Sequence, residues 1–147
     1  MYSGESRWFR FVAPSDKEVA IISRRLSSKN SGAEYRLYYD STGVTLGTAK
    51  PAYNMNRRIN TASTSSINPL TAAPTTLGTD IVSLIYIGAG ASGVGNASAG
   101  TNSKEDGFTI YSPSQYFDTK ITNLSSGSND IKVILEFAEV SNTIVTP

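Results

Sequence analysis

The chain contains neither cysteine nor histidine. The first absence removes disulfide frameworks and cysteine-based zinc sites together, and it is compatible with synthesis in the cytosol. The second removes the commonest metal ligand and the usual general base near neutral pH. Net charge is also small: 13 Lys and Arg against 12 Asp and Glu leave +1. No broad field therefore draws the chain to nucleic acid or to an anionic membrane. Long apolar runs are missing, since the longest, residues 81–87 (IVSLIYI), is too short to span a bilayer. The opening MYSGESRWFRFVAP lacks the apolar core of a signal peptide, so a soluble product is expected. Runs of helix-favouring residues are absent, while Ser, Thr, Asn and Gly are abundant, which favours strands and loops.

At 147 residues the chain can bury a core as one domain, residues 1–147, without metal or disulfide support. Residues 1–6 and 141–147 are expected to be extended tails. Residues 34–39 (EYRLYY) alternate, with Tyr35, Leu37 and Tyr39 on one face and Glu34, Arg36 and Tyr38 on the other. A half-buried strand requires that pattern. Asp40-Ser41-Thr42-Gly43 then reads as a turn. Upstream, residues 7–13 set Phe9 and Phe11 opposite Trp8, Arg10 and Val12, and residues 18–26 (EVAIISRRL) read as a strand between turn clusters. The Ser/Thr-rich stretch 61–79, with its two prolines, suits an edge strand or surface loop. Thr76-Leu77-Gly78-Thr79 repeats Thr45-Leu46-Gly47-Thr48, either by chance in a Thr-rich chain or as equivalent strand-entry corners.

Residues 80–87 are apolar without alternation, which predicts burial on both faces, and residues 88–107 read as a long Gly-rich loop. Residues 108–111, 116–123 and 131–140 are the remaining strands. The last places Ile131, Val133, Leu135 and Phe137 inward, and the connection 124–130 predicts an antiparallel hairpin of 116–123 with 131–140. Short strands separated by Gly, Pro and Asn turns predict an all-β antiparallel β-sandwich, jelly-roll-like or of related Greek-key type. An immunoglobulin-like sandwich is the alternative, without the paired cysteines that would mark it.

Motifs for chemistry are thin. Gly88-Ala89-Gly90-Ala91-Ser92-Gly93 matches G-x-G-x-x-G, but residues 94–107 are too rich in Gly, Asn and Ser to form the helix that would hold a pyrophosphate. Glu136 and Glu139 fall on opposite strand faces, Glu105 and Asp106 are loop neighbours, and Asp118 meets Glu136 only across the predicted hairpin. Asp40, Asp80, Asp106 and Asp130 sit at turns without a calcium-loop pattern. The expectation is a protein with no enzymatic activity, no cofactor and no metal. Arg24-Arg25 and Arg57-Arg58 offer planar donor forks to acidic patches on a partner, or are simply solvated strand ends. Tyr38 lies in the outward register and would add contact area, for a protein or for a glycan, and Trp8 is the single tryptophan available to a sugar platform. Trp8, Arg24, Arg25, Tyr38, Arg57 and Arg58 form the expected contact set. The sequons at Asn96 and Asn123 carry little meaning without a secretory signal.

Several of these patterns recur in one order. Tyr35-Arg36-Leu37-Tyr38-Tyr39 leads to Gly43-Val44-Thr45-Leu46-Gly47-Thr48 and then to residues 51–57 with Asn54 and Asn56. Pro74 to Thr79, the Gly-rich loop, Ile121-Thr122-Asn123-Leu124-Ser125 and a final strand with Glu136, Phe137 and Glu139 follow. In this order residues 9–140 resemble the cement or decoration proteins on the outside of tailed-phage heads. The shared features are strand and turn patterns, so no active-site residue carries over. The resemblance implies a jelly-roll-like sandwich that clamps neighbouring major capsid subunits on the outer surface of the virion, after synthesis in the host cytoplasm. It also implies a homo-oligomer, dimer or trimer, that multiplies weak contacts. A neck or tail component of the same particle is one alternative, and a glycan-binding β-sandwich module is another.

Overall fold

The computed structural model describes residues 1–30, 32–52, 63–87 and 109–141, of which 81–87 and 141 are described for the backbone alone. No helix occurs among them. Eight strands follow in chain order: β1 (Ser6–Val12), β2 (Lys17–Ser28), β3 (Ala33–Tyr39), β4 (Ser66–Pro69), β5 (Thr79–Ile87), β6 (Thr109–Tyr111), β7 (Tyr116–Asn123) and β8 (Ile131–Ser141). They build two antiparallel sheets, one of five strands ordered β4-β1-β7-β3-β5 and one of three ordered β6-β2-β8. The chain crosses between the sheets after β1, β2, β5, β6 and β7. The late strand β7 lies between the early strands β1 and β3, and β6 lies beside β2 in the opposite sheet. This interleaving is jelly-roll-like, as the turn and strand pattern predicted.

The inner faces of the two sheets share one core. Phe11, Tyr35, Leu37, Phe117 and Ile121 from the larger sheet meet Val19, Ile21, Leu26 and Tyr111 from the smaller, with Val133, Leu135 and Phe137 of β8 packed against them. Phe11 stacks on Phe117 at 5.0 Å between ring centroids and meets Phe137 in a T-shaped pair at 5.2 Å. Offset and edge-to-face pairs of this kind add to the area term, because ring edges and faces carry opposite partial charge.

Two expectations fail here. β7 and β8 are not a hairpin: β7 is bonded on both sides, to β1 and β3, while β8 pairs with β2 in the other sheet. Both edges of β7 are taken by strands from the other end of the chain, so the connection 124–130 crosses between sheets. Nor are the first residues a free tail. The Met1 ammonium donates to the Asn129 carbonyl at 2.9 Å, the Asn129 amide returns a bond to the Met1 carbonyl, and the Gly4 amide donates to the Asn123 carbonyl at 2.9 Å.

The side chain of Asn123 makes that connection. Fully buried, it donates from Nδ2 to the carbonyls of Met1, Tyr2 and Gly127, and its Oδ1 accepts from the amide and hydroxyl of Ser125. This sequon asparagine is a structural brace with no surface for a glycan. The repeated Thr-Leu-Gly-Thr runs are not equivalent corners: Thr79 opens β5, whereas Thr48 belongs to no strand and its run touches the chain through a Leu46–Leu70 bridge. The stretch expected as an edge strand supplies one, β4, with Pro69 at its end. β5 is the opposite edge of the five-stranded sheet, and its expected double burial concerns side chains outside the described residues.

Candidate functional site

The outer face of the five-stranded sheet is occupied by its own side chains. Register places Arg10, Asp118, Tyr38 and Asp80 in one cross-strand row, and Trp8, Lys120 and Arg36 in the next. Arg10 grips buried Asp118 through two bonds of 2.7 Å, donates to the Ser41 carbonyl at 2.8 Å, and lies 4.0 Å above the Tyr116 ring. A forked, charge-assisted pair with a stacked guanidinium is among the stronger polar arrangements available to a protein. Its hydrogen bonds to Asp118 push the Arg10 pKa further up.

Trp8 and Tyr38 pack together on this face at 5.4 Å, leaving 7% and 8% of their surfaces exposed. Burial, with Asp80 nearby, raises the Tyr38 phenol above its ordinary value. Tyr38 does lie in the outward register, as expected, and Trp8 shares that face, yet the two rings are not contact platforms. Neighbours cover them.

The arginine pair of β2 is divided by a bulge. β2 pairs with β8 regularly from Lys17 to Ile21, then skips Ile22 and resumes with Ser23 opposite Glu136. An extra residue reverses the parity of everything after it. Val19 and Ile21 face the core before the bulge; Arg24 and Leu26 face it afterwards. Arg24 is 1% exposed, with Nη2 donating to the Tyr111 hydroxyl at 3.3 Å and its guanidinium 5.4 Å from the Phe117 ring. It is a core residue and not a surface contact. Arg25 points outward and pairs with Glu136 at 2.7 Å, and Ser23 donates to the same carboxylate. The Ser23 bond, joined by Arg25, holds Glu136 below its usual range. Arg57 and Arg58 lie outside the described residues, so Arg25 is the one exposed member of the expected set among those described.

Sequence reasoning passed over the surface around Arg25. On the outer face of the three-stranded sheet, Ile110, Ala20 and Ala138 form one cross-strand row and Glu18 with Val140 the next, with Ile22 at the bulge. Ile110 is 60% exposed, Val140 51% and Ile22 47%. The signal was available in the alternation of 109–111 and 131–140, but Ile22 depends on the bulge. The carboxylates do not gather into a catalytic pair. Asp118 and Glu136 stand on opposite sheets, and Glu139 is held by Ser63, Ser65 and Lys17. Glu105 and Asp106 lie outside the described residues. Asp80 is a strand residue, not a turn residue. Among the described residues no group of three or more acidic, His or Cys side chains could hold a metal.

One open cleft, of about 510 Å³, lies between the end of β3 and the β6–β7 turn, lined by Tyr39, Ile110, Tyr111, Gln115 and Tyr116. Asp40 and Ser114, also on its wall, are the two non-glycine residues at positive φ among those described, 59° and 64°. The Tyr39 and Tyr111 hydroxyls share a bond of 2.6 Å on its inner side.

Fold and surface together define an all-β antiparallel sandwich with one self-covered outer face and one exposed apolar one. No family model matches the chain, and no curated protein or solved structure matches it.

Proposed function

We propose that the protein is a structural component of a phage particle that decorates the head by clamping neighbouring major capsid subunits. The observation that carries this reading is the outer face of the three-stranded sheet. Ile22, Ile110 and Val140 surround Ala20 and Ala138 there, and the Arg25–Glu136 pair stands at the margin. An apolar centre with a charged rim is the anatomy of a protein interface. The shell as partner is supported by the decoration-protein resemblance of residues 9–140. A protein that binds the assembled shell and not its free subunits stabilises the shell by mass action.

Co-sedimentation with phage heads, expanded against unexpanded, tests the proposal. Saturable binding to expanded heads is expected, weakened at least about tenfold, or roughly 1.4 kcal/mol, by Ile110→Asp with Val140→Asp. The variant should keep its unfolding midpoint. Absence of binding to either form overturns decoration, and binding to isolated tails or necks instead would move the site along the particle. A second reading, glycan binding, is favoured only by the tyrosine-lined cleft. A glycan array with the Gln115→Ala variant as control separates it from the first.

A further inference from the structure

We infer that two copies of the chain associate about a two-fold axis through Ile134, pairing their β8 strands antiparallel to continue the three-stranded sheet across the dimer. β8 is the edge of that sheet, bonded on one side to β2, and among the described residues its other side has no strand. It is eleven residues long, far longer than the three-residue β6 at the opposite edge. A long open edge presents a row of backbone donors and acceptors, which proteins blunt or pair.

The sequence of β8 selects one register for self-pairing. Centred on Ile134, an antiparallel pair sets Lys132 opposite the partner copy's Glu136 and, by symmetry, Glu136 opposite its Lys132. These four side chains stand on the outer face. On the inner face the same register sets Val133 opposite Leu135 and Ile131 opposite Phe137. All four inner side chains pack against the core yet are only half-buried, and among the described residues no strand pairs with the open side of β8. Cross-strand apolar and opposite-charge pairs are the unit of sheet stability. A shift by one residue would set inward positions against outward ones. The pairing stops at Ile131 and Phe137, since the next step would place Ala138 against Asp130 and the Glu139 carboxylate against buried Asn129. Lys132 alone would serve as an ordinary edge-blunting charge, but in this register it has a carboxylate to meet. The association does not depend on what the outer face binds.

Because the chain has no cysteine, Ile134→Cys reports the axis directly. In a centred pair the two copies of residue 134 face each other within disulfide reach, whereas two copies of residue 132 stand four residues apart along the strands. Under mild oxidation Ile134→Cys should cross-link at least about tenfold faster than Lys132→Cys. By sedimentation, Lys132→Glu alone and Glu136→Lys alone should each be monomeric, and an equimolar mixture should form a heterodimer, because the two restore opposite charge at both positions. Circular dichroism of each variant checks the fold. Equal cross-linking rates, or a monomer mass for the unaltered protein up to the highest concentration, overturns the inference. Either result would mean that Lys132 blunts the edge or that another segment already covers it.

Discussion

Two ion pairs show how much placement decides at the residue scale. Arg7–Glu5 is a 2.8 Å contact whose side chains are 58% and 28% exposed, while Arg10–Asp118 is buried, with a fully enclosed carboxylate. Water screens the first, and removing it should cost almost nothing. Breaking the second leaves the Arg10 charge to the Ser41 carbonyl and the Tyr116 ring alone. Asp118→Asn should lower stability by about 3 kcal/mol and Arg7→Ala by almost nothing, measured by urea unfolding of both variants beside the unaltered protein. Glu139 makes a different prediction. Burial alone would raise its pKa, but the Ser63 and Ser65 bonds, with Lys17, outweigh burial and hold it below 4.5. A carboxyl depressed in the folded state contributes stability that is complete above its ordinary value and is lost as pH falls through the folded one. Glu5 and Glu136 act in the same direction, so the informative quantity is a difference. Between about pH 5 and pH 3 the Glu139→Gln variant should lose less stability than the unaltered protein. An unchanged slope in urea midpoint against pH would count against this role for Glu139.

The bulge in β2 belongs to the scale of the element. Ile22 is the residue opposite nothing, and the pairs on either side, Ile21 with Phe137 and Ser23 with Glu136, are those of a regular ladder. Deleting Ile22 should therefore leave Arg24 and Leu26 inside, removing only the local twist, and keep a cooperative transition. Deleting Arg25, three residues on, shifts Leu26 and Ser28 from the core face and should abolish the cooperative transition seen by circular dichroism. What the sequence disclosed about the elements follows the same line. The alternation in 7–13, 34–39 and 131–140 set the correct faces of β1, β3 and β8, because side-chain period is local. Arg24 was misread as exposed because a bulge is invisible to a two-residue period. The β7–β8 hairpin was misread because partner choice is non-local: β7 is claimed by β1 and β3, and no turn chemistry in 124–130 records that. Tyr38 lies on the expected face with Trp8 beside it, but the covering of the two rings was not legible, since it depends on rows that only sheet register assembles.

Across the whole molecule, neither sheet has a local assembly route. β7 joins β1 to β3, the Met1 ammonium closes onto Asn129, and the connection after β7 is pinned by Asn123 beneath the N-terminal residues. The smaller sheet shares its core with the larger through Phe137 against Phe11 and Tyr111 against Phe117. Removing either sheet would leave the aromatic face of the other in water, so the two should not unfold separately. Trp8, the single tryptophan, reports on the five-stranded sheet through its packing on Tyr38. Backbone amides of β2 and β8 report on the other sheet by hydrogen exchange. The slowest amides of both strands should exchange with the same free energy that Trp8 fluorescence gives for global unfolding. Refolding should lie in the millisecond-to-second range, because the strand pairs that close each sheet are distant in sequence. A fragment ending at Ser112 lacks β7 and β8, so β1 and β3 lose their shared neighbour and β2 its long partner; it should show no cooperative transition. Separate transitions for Trp8 and the β2–β8 amides would show instead that each sheet holds a core of its own, contrary to the shared aromatic packing.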